Sequence, residues 1–340
     1  YALGRKPLRA CRTRRGINLG ALQPLLSDSS QSENTEGFVI RSQAGYLTVR
    51  TEKGDIQTRL RGRLRQGRAE GDLVAVGDNV RIAIHEDGTG SIEEVLPRKS
   101  VFSRQLSGVN YDYPQILLAN ADLALLVFAC TQPDPSLRML DRFLVVTERA
   151  HIKAVIVVNK VDLMPLDQVD KLFGMYRSIG YDVIYASAVT GQGVEALREC
   201  MQGKLSTLAG PSGVGKSSLL NKVIPDLNLE VGALSEGVGR GKGRHTTQVR
   251  QLYPLPDGGY IADVPGLRTL ALWDIQDEEL DAYFREIAPL VPECQFNDCS
   301  HSHEPGCAVR KAVKSGQIDP RRYESYLKLR FGDPEEDDEV

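Results

Sequence analysis

No stretch of the chain approaches the roughly 18 consecutive apolar residues that a membrane-spanning helix needs, which excludes an integral membrane protein of the helical kind. Cysteine is sparse, six among 340 residues, which excludes the dense disulfide framework of a small secreted domain. Cys11, Cys130 and Cys200 are scattered; Cys294, Cys299 and Cys307 fall within 14 residues and point instead to a metal site in a reducing compartment. A strong net charge is also missing, the formal total being -3. That total hides two one-sided segments. The first 27 residues hold six bases and no acid, and residues 333–340 hold six acids and no base, so residues 1–332 carry a net +3. A near-neutral total is therefore compatible with a basic surface that faces nucleic acid. With 41% hydrophobic residues, wholesale disorder is excluded.

Changes of texture divide the chain. Residues 1–36 are rich in Arg, Ser, Gln and Asn without periodicity and read as a disordered basic leader. An acid-free Arg-rich start followed by the Ser-rich stretch 27–32 has the composition of an organelle transit peptide, and equally that of a basic arm. Over 37–98, five short strand-like runs (37–40, 46–50, 73–76, 80–84 and 91–95) alternate with Gly and Asp-Gly turns, which predicts a small β-barrel of the OB-fold kind. Arg59, Arg61, Arg63, Arg65 and Arg68 form either a solvated face or a rim that tracks phosphates; no aromatic stacking motif accompanies them. Over 112–275, the apolar runs Leu123–Phe128, Val155–Val158 and Val183–Ala186 alternate with helical patterns. Val169, Leu172, Phe173 and Tyr176 fall on one helix face. That alternation predicts an α/β domain with a parallel sheet covered on both faces. Residues 276–331 are polar, with a Cys/His cluster and a helical stretch at 321–327, and 332–340 form an acidic tail.

Residues 210–217 (Gly-Pro-Ser-Gly-Val-Gly-Lys-Ser) match G-x-x-x-x-G-K-[ST], after a short strand at 206–209 and before a helix at 218–222, as a phosphate-binding loop requires. Gly210, Gly213 and Gly215 let the backbone N–H groups of Ser212, Val214 and their neighbours curl around phosphates, and the helix that opens at Ser218 adds partial positive charge. Lys216 neutralises the β- and γ-oxygens, and the Ser217 hydroxyl can ligate Mg²⁺. Directly after a strand, Asn159-Lys160-Val161-Asp162 supplies the base-reading loop. The Asp162 carboxylate can accept from both N1–H and N2–H₂ of guanine; adenine would leave it desolvated and unpaired, at a cost of about 1–3 kcal/mol. Asn159 can meet the N7 side and bridge neighbouring loops, the Lys160 stem can cover the base, and Ser187-Ala188 can offer a backbone N–H to O6. Asp263-Val264-Pro265-Gly266 fits D-x-x-G, with Asp263 reaching Mg²⁺ through water and the Gly266 N–H sensing the γ-phosphate. Upstream, the Gly/basic segment 237–247 should be mobile without ligand, and Thr246 or Thr247 is the candidate switch threonine on Mg²⁺. The same segment also reads as an RNA-binding basic loop.

The order of these motifs is informative. The base-reading loop at 159 and Ser187-Ala188 precede the phosphate loop at 210 and D-x-x-G at 263, the reverse of the usual arrangement, while the cyclic order is kept. A sheet whose ends lie close together tolerates such a cut. It leads the chain from the D-x-x-G segment straight toward the Cys/His region, so nucleotide state is expected to pass to the C-terminal domain through residues 267–293. Barrel, permuted GTPase with Gly243-Arg244-His245-Thr246-Thr247, and C-terminal Cys/His cluster together resemble the RsgA/YjeQ family, over residues 37–331. The resemblance implies circularly permuted GTPases that assist late assembly of the small ribosomal subunit and contact its rRNA.

Cys294, Cys299 and Cys307 with a histidine form C-x₄-C-x-H-x₅-C, which suits a closed tetrahedral structural zinc site that supplies folding energy. Spacing does not exclude His303; the family pattern gives the histidine ligand as His301. Leu267 follows D-x-x-G where Ras-like proteins place a water-orienting Gln, which predicts slow intrinsic hydrolysis. His245 is the candidate to orient water, or else faces phosphate or solvent. The expected protein is thus multidomain and monomeric, a GTPase with GTP/GDP, Mg²⁺ and one Zn²⁺, with no membrane partner. It would act in an organelle if the leader is a transit peptide and otherwise in the cytoplasm. A signalling GTPase with a protein partner and an RNA-binding protein with a dead nucleotide site are the competing classes. The barrel and Cys/His cluster argue against the first. Intact Lys216, Ser217 and Asp263 argue against the second, and Asp162 argues against an ATPase.

Overall fold

Strict alternation builds the barrel. In β3 (Gly54–Leu60), Ile56, Thr58 and Leu60 point inward while Asp55, Gln57 and Arg59 face out. The computed structural model describes residues 34–61, 73–104, 115–224, 249–263 and 277–332, with the backbone alone of Arg104 and Asp263. Residues 1–33 of the leader, Arg63, Arg65, Arg68, the segment with His245, Thr246 and Thr247, residues 264–276 with Gly266 and Leu267, and residues 333–340 of the acidic tail lie outside the described residues, whereas residues 34–36, expected to belong to the disordered leader, are strand, because they pair with β4 at residues 81–83.

The barrel strands are β1 (Asn34–Gln43), β2 (Tyr46–Thr51), β3, β4 (Asn79–Ile84) and β5 (Gly90–Val95). β1 pairs with β2, β2 with β3, β3 in parallel with β5, β5 with β4, and β4 again with β1. The ring is closed, so these strands leave no free edge within it. Val39, Val49, Ile56, Val80, Ile82 and Ile92 fill its interior. Two expectations are corrected. Residues 54–60 form a strand that the apolar runs do not mark, because its inward positions include Thr58. Leu73–Val76, in contrast, is not a strand. Val74 is buried in the barrel core and Val76 in the core of the neighbouring domain, so this apolar run is a seam that serves two interiors. Asp78, fully buried, holds the seam by accepting from the Ala75 N–H at 2.8 Å and from Nε and Nη2 of Arg98 at 2.6 and 2.7 Å.

After a two-stranded ribbon of β6 (Val101–Arg104) and β7 (Gln115–Ala119) comes the α/β domain. Its elements are β8 (Leu123–Ala129), α1 (Leu137–Arg149), β9 (Lys153–Asn159), α2 (Leu166–Ser178), β10 (Asp182–Tyr185), α3 (Val194–Met201), β11 (Leu205–Ala209), α4 (Lys216–Val223), β12 (Arg250–Pro254) and β13 (Tyr260–Asp263). The strand order is β10-β9-β8-β11-β13-β12; all are parallel except β12. Every residue of β8 is buried. Ala124, Leu126 and Phe128 face the side covered by α1 and α2, with Phe143 and Phe173, whereas Leu123, Leu125 and Val127 face Leu197, Leu219 and Leu220 of α3 and α4. A continuous apolar run is thus what a strand covered on both faces needs. β12 also pairs with β1, at Arg41↔Gln251 and Ser42↔Arg250, so barrel and α/β domain share one 11-stranded sheet.

The C-terminal module has two 3-10 stretches (Asp277–Tyr283 and Ala288–Glu293), α5 (Ala308–Lys314) and α6 (Pro320–Phe331). Asp319 caps α6 by accepting from the Arg321 N–H at 2.9 Å, and Pro320 occupies its first position. Leu280, Phe284, Ile287, Val309 and Tyr326 form its core together with Val145 of α1, so the module is packed on the α/β domain. Among the described residues no helix is long and apolar enough to cross a membrane.

Phe173 is fully buried between α2 and the sheet. Phe173→Ala is expected to lower the unfolding free energy by about 3–5 kcal/mol, read from guanidinium denaturation.

Candidate active site

Three loops meet beyond the carboxyl ends of the parallel strands. The phosphate loop follows β11, the Asn159–Asp162 loop follows β9, and Ser187-Ala188 follows β10. Asn159, 1% exposed, joins all three. Its Nδ2 donates to the Val214 carbonyl at 2.7 Å, and its Oδ1 accepts from the Ala188 N–H at 3.3 Å. The close approach dictates glycines. Gly215 has φ +92°, and a Cβ there would collide with Asn159 Nδ2; Gly210 has φ +142°, and a Cβ there would collide with the Val127 carbonyl.

The base-reading loop turns sharply at Lys160, which is left-handed with φ 64°. The Cys130 thiol donates to the Lys160 carbonyl at 3.0 Å, and Lys160 Nζ donates to the Gln132 carbonyl. Burial pushes the Cys130 thiol pKa up, which keeps it a donor. Asp162 Oδ1 accepts from Ser187 Oγ at 2.5 Å, and that hydroxyl accepts in turn from the Val189 and Thr190 N–H groups at 3.2 and 3.1 Å. Lys216 and Ser217, each 4% exposed, open α4 behind Gly215. Lys216 Nζ donates to the Gly210 and Pro211 carbonyls, so the ammonium lies within the curl of the loop. Thr207 of β11 pairs with Ala262, which puts the Asp263 backbone one residue further along the same strand ends.

A second constellation lies in the C-terminal module. The ligand atoms of Cys294, Cys299, His301 and Cys307 all lie within 4.8 Å of one another. His301 Nδ1 is 3.5 Å from the sulfurs of Cys294 and Cys307, and those sulfurs are 4.0 Å apart. Tetrahedral Zn²⁺ with ordinary Zn–S and Zn–N bonds requires about 3.5 Å between N and S and about 3.8 Å between sulfurs. The donor set therefore fits zinc in chemistry and in size. His303 is exposed and bonds Ser302 Oγ at 2.8 Å, outside the cluster. Glu304 shapes the loop, accepting from the Ser300, Ser302 and His303 N–H groups at 2.8, 3.1 and 3.1 Å. Burial works to raise its carboxyl pKa, but the Ser300 and backbone hydrogen bonds outweigh that and hold it well below the usual range.

Two partners in this region escape sequence reading. Asp281 Oδ2 lies 3.2 Å from His301 Nε2, where it fixes the ring with Nδ1 toward the sulfurs. Tyr323 donates to the His301 carbonyl at 2.6 Å. Neither stands near the cluster in sequence, and Asp281 sits unmarked in an acidic stretch. On the barrel, Arg59 stacks over the Tyr46 ring at 4.1 Å, and Arg61 is paired with Glu93. One of the two described arginines of that run is therefore locally neutralised.

Fold and site define the class: a P-loop GTPase whose base-reading loops precede its phosphate loop, behind an OB-like barrel and ahead of a Cys₃His cluster. The family model described as RsgA GTPase matches residues 95–273, and that of the RsgA N-terminal domain matches residues 36–92. The chain belongs to the RsgA GTPase family. "Small ribosomal subunit biogenesis GTPase RsgA" of Gemmatimonas aurantiaca is 46% identical over 301 residues, covering 87% of this chain and 97% of that protein. The protein of the same name from Caldanaerobacter subterraneus is 42% identical over 297 residues, 87% and 95% of the two chains. Among solved structures, YjeQ from Thermotoga maritima is similar at TM-score 0.71 and 36% identity, covering 88% of this chain and 98% of that one. YloQ, described as a circularly permuted GTPase, gives 0.68 and 32% over 88% and 96%.

Gly210→Ala is expected to force the phosphate loop off the Val127 carbonyl and to weaken guanosine nucleotide binding by at least the 1–3 kcal/mol of a strained backbone position, read by calorimetric titration.

Proposed function

We propose that this GTPase acts in late maturation of the small ribosomal subunit, binding its rRNA as a single copy and coupling GTP hydrolysis to that association. The full-length likeness to relatives named for small ribosomal subunit biogenesis carries the reading. Those named relatives are bacterial, which favours the cytoplasm over an organelle.

In this reading Asp162 accepts from N1–H and N2–H₂ of guanine, with its second task, the Ser187 hydroxyl, fixing its orientation. Asn159 holds the loop register and faces N7, the Lys160 stem covers the base, and the Ala188 N–H, a long 3.3 Å from Asn159 Oδ1, is shared with O6 when the base is bound. Backbone N–H groups of Gly210, Ser212, Gly213, Val214, Gly215 and Ser218 surround the phosphates. Lys216 stabilises charge that grows on the β- and γ-oxygens in the transition state. Ser217, Asp263 through water, and Thr246 or Thr247 would hold Mg²⁺, which supplies charge neutralisation across the β- and γ-phosphates when bound. The Gly266 N–H reads the γ-phosphate, and His245 orients the attacking water when the subunit is bound. Cys294, Cys299, His301 and Cys307 hold zinc, with no position open for catalysis. Burial pushes the Cys299 thiol up, so zinc binding there would release a proton.

GTP turnover measured with and without purified small subunits tests the main reading. Stimulation by the subunit that fades as salt rises is expected; equal turnover in both arms overturns it. Asp162→Asn is expected to lose about 1–3 kcal/mol of GTP affinity and to gain xanthosine triphosphate, whose C2 carbonyl suits an amide donor. Metal analysis should find stoichiometric zinc in the parent and loss in Cys294→Ser; unchanged zinc in the variant removes the assignment.

A further inference from the structure

A deeply buried cluster of charges lies outside the nucleotide site. Arg322 of α6, 1% exposed, places its guanidinium between two carboxylates from different parts of the molecule. Its Nη1 donates to Asp141 Oδ1 on α1, and Nε and Nη2 donate to Glu286 at 2.6 and 3.2 Å. Asp141, also 1% exposed, accepts in addition from the Tyr176 hydroxyl of α2 at 2.7 Å. Burial alone would favour a neutral guanidinium, but Asp141 and Glu286 overcome it and Arg322 stays charged. Such a cluster is a poor source of net stability, since apolar residues of similar volume serve as well. What it imposes is geometry. A forked donor shared between two carboxylates has one docking position, whereas an apolar contact can slide.

That position matters because of where α1 begins. Ser136 caps α1 by accepting from the Met139 N–H at 3.2 Å. The preceding residues, 130–135, run along the nucleotide loops. The Cys130 N–H donates to the Asn159 carbonyl at 2.9 Å and its thiol to Lys160, Gln132 accepts from the Lys160 ammonium, and Pro133 flanks the phosphate loop beside Gly213. Asp141 stands one turn into the same helix. We propose that Arg322 is a positioning residue for the nucleotide pocket: by fixing Asp141 it sets α1, and through α1 the 130–135 loop that backs the Lys160 turn and the phosphate loop. The C-terminal module then touches the nucleotide site by a path independent of the chain that leaves Asp263. Coupling of this kind is reciprocal, so nucleotide must also steady α6. The proposal rests on the assignment of the Lys160 and Gly213 loops to the nucleotide pocket.

The test uses the full chain. Fluorescent mant-GDP titrations compare the parent with Asp141→Asn and with the milder Tyr176→Phe, which removes one hydrogen bond and keeps the fold in hand should Asp141→Asn not fold. Hydrogen exchange of α6 is followed with and without saturating GDP. Expected are a Kd raised about fivefold or more in Asp141→Asn and less in Tyr176→Phe, kcat at saturating GTP unchanged, and GDP-dependent protection of α6 in the parent that shrinks in both variants. A purely structural cluster would change melting temperature without moving Kd or the GDP-dependence of exchange. Folded variants that bind as the parent does, or a parent whose α6 exchanges alike with and without GDP, overturn the proposal alone. A parent that binds no mant-GDP overturns the pocket assignment and the proposal with it.

Discussion

Asn159 has two hydrogen-bonding ends, and each is already committed, one to the Val214 carbonyl and one to the Ala188 N–H. Those commitments hold three loops, from three different strands, within the span of one carboxamide. Much else in the site follows from that closeness. Gly215 admits no side chain because Asn159 Nδ2 occupies the space, and Gly210 admits none because β8 passes too near. Lys160 takes a left-handed conformation so that the chain can leave Asn159 and bring Asp162 back to Ser187. The buried amide is desolvated, so losing either partner would leave a polar group unpaired, and the loops are held together by that penalty as much as by the bonds themselves.

The motifs were legible in the sequence because each is contiguous and its chemistry demands particular residue types at fixed offsets. The phosphate loop, the base-reading loop and the Cys₃His spacing all have this property, and an apolar strand followed by a loop of the right type locates the first two. The two-faced sheet was legible for a related reason: β8 is apolar at every position because both faces are covered. Leu73–Val76 shows where such reasoning stops. It has the composition of a strand, yet Val74 and Val76 belong to different interiors, and nothing local distinguishes a residue that serves one core from one that bridges two. β3 shows the converse, since Thr58 fills an inward position by donating to the Leu47 carbonyl at 3.0 Å.

What stayed hidden depends on partners distant in sequence. Asp281 reaches His301 across 20 residues, and Arg322 reaches Asp141 across 181. A lone Asp in an acidic stretch, or an Arg in a helix rich in arginine, has by its local pattern the look of a solvated side chain. Only burial, which is a property of the whole fold, turns each into a fixed contact. Asp281 acquires its meaning from the module's own packing, and Arg322 from the docking of that module against α1.

The circular order of the motifs gives that docking its significance. In an uncut arrangement the strand carrying D-x-x-G would lead back into the same α/β domain; here the chain continues from β13 toward a separate module with its own small core. A module joined only by a single strand exit would be free to take many orientations. Arg322, with Arg285 donating to Glu148 at 2.8 Å and to the Gly180 carbonyl at 2.6 Å, removes that freedom by binding both α1 and the end of α2. The barrel is restrained in the same manner at the opposite edge, where β1 pairs with β12 and Arg50 donates to the Tyr260 hydroxyl at 3.2 Å at the start of β13. The hairpin of β12 and β13 therefore carries the barrel, while α1 carries the C-terminal module, and each of these supports runs directly into a nucleotide-site loop. A change in either flanking module has a short, hydrogen-bonded route to the pocket, and by reciprocity the pocket has the same route outward.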